Sequence, residues 1–248
     1  MPKTNLSRPA VSLPLVLITG ASAGIGAACA RAFAGAGYGV VLTARRKERI
    51  DALADELRSA HGVEIHAFAL DVSRRKEVEA WFESQRGLAG RIGVLVNNAG
   101  LARGLDTIQQ GSLDDWDEMI DTNVKGLLYM TRLMLPHLLA AGRGHIVNLG
   151  SVAGRWNYPR GNIYAATKWA VRSLSESLRL DLNGTPIRVT EIAPGMVETE
   201  FSEVRLGDAG RAKAVYAGMQ PLTPEDIAEA VLWSVSRPAH VNIQEIVL

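Results

Sequence analysis

The sequence is poor in the residues that several classes of protein depend on. Its 248 residues include a single cysteine, Cys29, so no internal disulfide can form, and we expect a reducing, cytoplasmic location. No apolar run reaches the roughly 18 residues that a membrane span needs. The net charge of only +1 provides no field that would attract nucleic acid or an anionic membrane. The five histidines lack metal-ligand spacing, so we predict no metal site.

Strand-like and helix-like segments alternate along most of the chain. Strands are predicted at 14–19, 39–44, 64–70, 93–97, 145–149, 188–193 and 242–247, and helices near 24–36, 47–60, 74–86, 114–140, 162–182 and 224–236. This alternation predicts an α/β fold, a Rossmann-type doubly wound parallel sheet of about seven strands with helices on both faces. No domain boundary is visible, so we expect a single domain over residues 14–248.

Two segments depart from the regular alternation. Residues 1–13 are interrupted by proline and are predicted to form a flexible N-terminal extension. Residues 200–222 mix apolar side chains with Gly207, Gly210 and Gly218. We expect this second segment to form a mobile lid over a substrate site.

A glycine-rich turn, TGASAGIG at 19–26, lies between the first predicted strand and the first predicted helix. Strand, glycine turn and helix is the setting that a dinucleotide-binding loop requires. Glycines let the backbone approach a pyrophosphate, and the helix N-terminus faces the anion. The glycine spacing is GxxxGxG rather than GxGxxG, and the alternative is a glycine-rich surface turn. The candidate phosphate-binding residues are Gly20, Ser22, Ala23, Gly24, Ile25 and Gly26.

Tyr164 and Lys168 lie four residues apart in a predicted helix, so their side chains share one face. A free tyrosine has a pKa of about 10, and we expect the nearby ammonium to lower the pKa of Tyr164. With Ser151 holding a substrate oxygen, Tyr164 could then act as a general acid/base on an alcohol or carbonyl. Taken alone, the spacing also fits two ordinary surface neighbours on a helix.

The end of the second predicted strand bears on cofactor choice. An acidic residue near position 44 would bind the 2′-hydroxyl of NAD, but Ala44 is neutral and is followed by Arg45 and Arg46. A guanidinium pairs with phosphate through two hydrogen bonds, which favours the 2′-phosphate of NADP. The alternative is that both arginines simply open a solvated helix.

These motifs together resemble the classical short-chain dehydrogenase/reductase family, from about residue 14 to the C-terminus. The motifs that carry the resemblance are TGASAGIG at 19–26, NNAG at 97–100, Asn123, the set Ser151, Tyr164 and Lys168, and PG at 194–195. The resemblance implies that Tyr164 is the acid/base, Lys168 binds the nicotinamide ribose, Ser151 positions the substrate oxygen and Asn123 holds a relay water. It further implies that the cofactor contacts Asp71, Val72, Asn97, Ala99, Gly100, Tyr164, Lys168, Pro194, Gly195, Val197 and Thr199.

A closer similarity is to the bacterial NADP-dependent 3-hydroxy acid dehydrogenases within that family, also described as serine dehydrogenases or malonic semialdehyde reductases. It is carried by segments such as EFS at 200–202 with Val204-Arg205, and LTPED at 222–226. It implies a carboxylate-bearing substrate that contacts Ser151, Tyr164, Trp156 and Arg205. Arg205 is our first choice as carboxylate partner, with Arg103, Arg155 and Arg160 as other candidates, and a plain surface arginine as the alternative.

The sequence therefore predicts an NADP-dependent oxidoreductase for small 3-hydroxy acids. The alternatives are a carbonyl reductase for bulkier aldehydes or ketones, and an NADP-binding regulatory protein that does no chemistry. Apolar residues on the predicted helices 114–140 and 162–182 exceed what one sheet face can cover, and the family resemblance also implies a homodimer or homotetramer.

Overall fold

The computed structural model describes residues 13–248. The first strand, β1 (Leu15–Thr19), is buried throughout, as its unbroken apolar run predicts for the centre of a parallel sheet. The other strands are β2 (Val40–Ala44), β3 (Ile65–Ala69), β4 (Ile92–Asn97), β5 (Gly144–Leu149), β6 (Ile187–Ala193) and β7 (Glu245–Val247). They form one sheet in the order β3-β2-β1-β4-β5-β6-β7, and every neighbouring pair is parallel.

Helices cover both faces of the sheet. They are α1 (Gly24–Gly35), α2 (Lys47–His61), α3 (Arg75–Ser84), α4 (Arg86–Ala89), α5 (Leu113–Ile120), α6 (Leu127–Ala140), α7 (Asn162–Asp181), α8 (Phe201–Leu206), α9 (Ala209–Ala214) and α10 (Pro224–Val235). Buried residues of α1, α2 and α10 form one apolar cluster with the sheet, and those of α3 and α6 form a second. The two clusters are the two interfaces of a three-layer α/β/α domain, which confirms the predicted fold class.

The order of the strands places the functional cleft. β1 pairs with β2 on one side and with β4 on the other, so the chain reverses its direction of winding at this point. Ligands of open α/β sheets bind outside the carboxyl ends of the strands at such a switch point. A cleft of about 810 Å³ lies there. Within residues 13–248, no helix has the length and apolar character needed to cross a membrane.

Three segments differ from their predicted structure. The predicted helix 114–140 consists of α5, a π-helical turn at Asp121–Gly126, and α6. The last strand covers only Glu245–Val247 of the predicted 242–247. The irregular segment 200–222 contains α8 and α9. The predicted N-terminal extension, apart from Leu13, lies outside the described residues.

Candidate active site

The glycine loop between β1 and α1 is shaped by backbone geometry that only glycine supports well. Gly20 and Gly24 have φ angles of +66° and +51°, in the left-handed region. A Cβ on Gly26 would lie 2.4 Å from the Gly20 carbonyl oxygen, so this third glycine permits close packing of helix and loop. No side chain caps the start of α1, where Ala23 is the N-cap residue. The first N–H groups of α1 therefore remain available to an anion.

Asn98 braces this loop from the end of β4. Its Nδ2 donates to the carbonyl oxygens of Thr19 at 2.8 Å and Gly20 at 3.2 Å. The sequence predicted a cofactor contact for Asn97, but the alternation of side chains along a strand points Asn97 into the core. Its Nδ2 donates to Thr131 Oγ1 and Asn148 Oδ1, both at 2.9 Å. Asn97 therefore supports the end of β4 from inside and does not line the cleft.

The cleft brings together most of the residues predicted to bind the cofactor. Those that line it are Gly20, Ser22, Ala23, Gly24, Ile25, Arg45, Arg46, Asp71, Val72, Ala99, Gly100, Tyr164, Lys168, Pro194, Gly195, Val197 and Thr199. Gly26 and Asn97 lie behind this surface. An extended cleft that runs from a glycine loop with free N–H groups to a buried tyrosine fits a dinucleotide.

The two arginines after β2 have different partners. Arg46 Nε donates to Ser22 Oγ at 3.1 Å, which places its guanidinium beside the glycine loop. Arg45 instead pairs with Glu118, with 3.5 Å between Arg45 Nη1 and Glu118 Oε1. Ala44 is buried and presents no carboxylate to this end of the cleft. The chemistry of this corner suits a phosphate on the adenosine ribose, and Arg46 is better placed than Arg45 to receive it.

Ser151, Tyr164 and Lys168 meet at the other end of the cleft. Ser151 follows β5, and its Oγ accepts from Ala153 N at 3.1 Å. Lys168 Nζ donates to the Leu149 carbonyl oxygen at 2.8 Å and lies 5.8 Å from the centroid of the Tyr164 ring. The Tyr164 ring packs against Phe201 of α8, with 5.4 Å between ring centroids.

Burial is the largest influence on the pKa values of Tyr164 and Lys168. It raises the pKa of Tyr164 to about 12, although the Ser151 hydroxyl and the Arg205 guanidinium act in the opposite direction. Burial also lowers the pKa of Lys168 to about 8, against the attraction of the Glu191 carboxylate. The predicted lowering of the tyrosine pKa by the ammonium is not seen as a net effect in the protein without cofactor. In this state desolvation of the hydroxyl outweighs the available positive charge.

Asn123 lies in the π-helical turn, where its side chain makes three hydrogen bonds. Its Oδ1 accepts from Leu101 N at 2.8 Å, and its Nδ2 donates to Leu101 O at 2.8 Å and Thr167 Oγ1 at 3.1 Å. A Cβ on Gly100 would lie 3.2 Å from Asn123 Oδ1 and 3.7 Å from Lys168 Nζ. The side chain of Asn123 thus fixes the loop after β4. π-Helical turns are frequent at functional sites.

Arg205, on α8 of the predicted lid, lies beside Tyr164 at the catalytic end of the cleft, although it is not among the residues that line the cleft. Its guanidinium carbon lies 5.5 Å from the ring centroids of both Tyr158 and Tyr164. Its Nε donates to Gly104 O at 3.0 Å, and its Nη1 donates to Tyr158 Oη at 2.7 Å. A cation therefore lies beside the tyrosine that would handle a substrate oxygen.

Of the other residues predicted to contact the substrate, Arg103 lines the cleft, whereas Trp156, Arg155 and Arg160 do not. Trp156 is 64% exposed and does not line the cleft, and its substrate contact stays a prediction. Arg155 is buried between Glu191 and Glu245, and Arg103 is paired with Glu118. Arg160 is exposed, with a left-handed φ of +65°. Among the arginines proposed to hold a carboxylate, Arg205 is the one placed beside Tyr164.

Several residues that line the cleft were not among the individually predicted site residues, although Asn98 lies in the NNAG motif and Glu200 and Phe201 lie in the EFS segment. Asn98, Arg49, Glu200 and Phe201 all line the cleft. Arg49 follows Arg46 by three residues, so a helical spacing from a suspected phosphate ligand could have identified it. Glu200 and Phe201 come from the lid, whose position cannot be predicted from local sequence. Among residues 13–248, no cluster of three acidic, histidine or cysteine side chains could hold a metal ion.

The switch-point cleft, the glycine loop and the buried tyrosine–lysine pair define a dinucleotide-dependent oxidoreductase. A model of the short chain dehydrogenase family matches residues 14–208. The chain is 50% identical over 234 residues to the NADP-dependent 3-hydroxy acid dehydrogenase YdfG of Salmonella typhi, covering 94% of this chain and 93% of that protein. The chain belongs to the short-chain dehydrogenase family, and it is an enzyme that acts on hydroxyl groups.

Two other relatives have different names. Sulfoacetaldehyde reductase 2 of Chromohalobacter salexigens is 47% identical over 234 residues, covering 94% of this chain and 92% of that protein. A solved structure described as the closed form of serine dehydrogenase complexed with NADP+ has a TM-score of 0.89 and 47% identity, covering 94% of each chain.

Proposed function

We propose that this enzyme uses NADP to interconvert an alcohol and a carbonyl on a small, anionic substrate, with 3-hydroxy acids as the leading class. The observation that carries the proposal is the Arg205 guanidinium, 5.5 Å from the centre of the Tyr164 ring. An anionic group on Arg205 would place the far end of a short substrate near the tyrosine hydroxyl. A carboxylate that leaves water in a cleft is costly unless it is paired in this way.

The proposed chemistry divides between the cofactor and the protein. The nicotinamide supplies or accepts the hydride when the cofactor is bound. Tyr164 moves the proton to or from the substrate oxygen, and Ser151 holds that oxygen by a hydrogen bond. Lys168, fixed on the Leu149 carbonyl, would bind the nicotinamide ribose and add positive charge beside Tyr164. A positive charge favours the phenolate, which the oxidation of an alcohol requires.

The choice of NADP rests on the corner that Ala44, Arg46 and Ser22 form. Arg46 is held beside the glycine loop by its hydrogen bond to Ser22. Position 44 is alanine, so it carries no negative charge that would repel a phosphate. The relative from Salmonella typhi is named as NADP-dependent, and the serine dehydrogenase structure contains NADP+.

The choice of an anionic substrate agrees with the names of the relatives. A 3-hydroxy acid carries a carboxylate, and sulfoacetaldehyde carries a sulfonate. Both anions can accept two hydrogen bonds from one guanidinium. A common pattern is a short carbon chain with an anion at one end and an alcohol or aldehyde at the other.

A matched pair of substrates tests this proposal. Rates of NADPH formation are compared for 3-hydroxypropionate and for its methyl ester, which differ in charge but little in shape. We expect kcat/KM for the acid to exceed that for the ester by about 10-fold or more, as removal of a charge-assisted hydrogen bond predicts. Equal values, or a preference for the ester, would favour the carbonyl reductase for bulkier neutral substrates.

Residues 200–222 are proposed to act as a lid on this site. The ends of the segment are joined, because Glu198 N donates to Leu222 O and Leu222 N donates to Met196 O, both at 2.9 Å. A segment closed at its base can move as a unit. Protection of this segment from proteolysis by NADP+ would support the proposal, and unchanged cleavage would contradict it.

We also propose that the protein forms a homodimer or homotetramer and is located in the cytoplasm. Of the apolar residues that suggested an interface, Leu127, Met130 and Val171 are buried in the protein's own core. Leu128, Trp169 and Leu180 remain exposed on α6 and α7. Pairing of these helices across a two-fold axis would bury them. Light scattering tests this directly, and a monomer mass at all concentrations would contradict it.

A further inference from the structure

Glu200, the residue that precedes α8, joins the base of the lid to the arginines beside the glycine loop. Its Oε2 accepts from Arg46 Nη1 at 2.9 Å, and its Oε1 accepts from Arg49 Nη1 at 2.6 Å. Arg46 also donates to Ser22 Oγ through Nε. One carboxylate thus bridges two guanidiniums at the corner of the cleft that suits a phosphate.

The surroundings show that this carboxylate lies inside the cofactor cleft. Glu200, Arg46, Arg49 and Ser22 all line it. The preceding residue, Thr199, lies against the glycine loop, since a Cβ on Gly24 would be 3.2 Å from Thr199 Cγ2. The oxygens of Glu200 therefore occupy hydrogen-bond donors that a phosphate on the adenosine ribose would need.

We propose that Glu200 is a specificity-determining residue that competes with the cofactor's 2′-phosphate for Arg46 and Arg49. This inference rests on the proposed use of NADP. A phosphate carries more charge and more acceptor oxygens than a carboxylate, so it displaces Glu200 from the two guanidiniums. A dinucleotide without the 2′-phosphate offers no such competitor and leaves the Glu200 contacts in place. The measured affinity for NADP+ is then lower than it would be without Glu200, because binding of the phosphate also breaks the contacts of Glu200 with the two arginines.

The exposure of the three side chains sets the size of the effect. Those of Arg46, Arg49 and Glu200 are 43%, 50% and 44% exposed. Pairs this accessible to solvent are weak, which is what a displaceable contact requires. Two such pairs correspond to a change in affinity of about 3- to 10-fold.

The experiment measures binding by titration calorimetry with NADP+, NAD+ and adenosine 2′-monophosphate, on the full chain without substrate. The variant is Glu200→Gln, which keeps the size of the side chain and removes its charge. The matched control is Glu203→Gln, an exposed glutamate of the same lid helix that also lines the cleft. We expect Glu200→Gln to tighten binding of NADP+ and adenosine 2′-monophosphate by about 3- to 10-fold, with NAD+ unchanged.

A double-mutant cycle separates competition from a general change in charge. In an Arg49→Ala background, the gain from Glu200→Gln should fall, because one of the two contested guanidiniums is absent. Weaker or unchanged NADP+ binding in Glu200→Gln, or an equal gain in Glu203→Gln, would overturn the inference. If the parent protein itself binds NAD+ better than NADP+, the proposed cofactor is wrong. If the parent prefers NADP+ and Glu200→Gln has no effect, only the role of Glu200 is wrong.

Discussion

Replacing Arg205 by alanine removes the cation that lies beside Tyr164 and leaves the proposed acid/base machinery in place. The guanidinium also donates to Gly104 O and Tyr158 Oη, so the change removes two hydrogen bonds between α8 and the rest of the protein. The consequences for substrate charge and for lid anchoring differ, and they can be measured separately.

The magnitude follows from the kind of hydrogen bond that an anionic substrate would make with Arg205. A hydrogen bond to a charged group contributes about 1.5–3 kcal/mol to binding. Its removal should therefore raise KM for an anionic substrate by roughly 10- to 100-fold. Removal of the two anchoring hydrogen bonds should affect neutral and anionic substrates alike. Arg205→Lys should recover part of the affinity, because an ammonium keeps the charge but lacks the planar fork of donors.

The assay compares 3-hydroxypropionate with a neutral short alcohol on the parent protein, Arg205→Ala and Arg205→Lys. Arg160→Ala is the matched control, since Arg160 is an exposed arginine that does not line the cleft. Beyond any change that both substrates share, we expect the roughly 10- to 100-fold rise in KM only for the acid and only at position 205. An equal effect on both substrates would show that Arg205 holds the lid and does not bind the anion.

Three further results are expected. Alcohol oxidation should accelerate as pH rises towards about 8, because burial raises the pKa of Tyr164, the phenolate fraction grows with pH, and Lys168, with a pKa of about 8, still carries its charge; a flat rate profile would contradict this. Arg155→Met should lower the free energy of unfolding in urea by roughly 3–5 kcal/mol, because Glu191, 0% exposed, is left without its buried partner. Arg160→Gly should raise that free energy by about 1 kcal/mol by relieving a left-handed φ, and no gain would contradict it.

The fold could be predicted because its signals are local. Buried strands of a parallel sheet are unbroken apolar runs, and apolar residues recur every three to four positions in the amphipathic helices between them. The π-helical turn that contains Asn123 could not be predicted, because hydrogen bonds of its side chain to Leu101 and Thr167 stabilise this geometry from outside the helix. The lid helices were likewise missed, because short helices depend on tertiary contacts.

The site could be predicted only where spacing determines geometry. The glycine loop and the pair Tyr164–Lys168 lie on regular elements, so their placement follows from sequence. The exposed position of Trp156 could not be predicted, because nothing in the sequence reports which way a loop side chain faces. Arg155 was a candidate substrate ligand because its burial against Glu191 and Glu245, which are distant in the chain, could not be predicted from local sequence.

The most direct test is Tyr164→Phe, measured for both turnover and NADPH binding. The change removes one hydroxyl and keeps the ring that packs against Phe201, so the cleft should keep its shape. We expect turnover to fall at least 10²–10⁴-fold, the contribution typical of a general acid/base, with NADPH affinity within about 3-fold of the parent. Turnover within a few-fold of the parent would contradict the assignment of proton transfer to Tyr164.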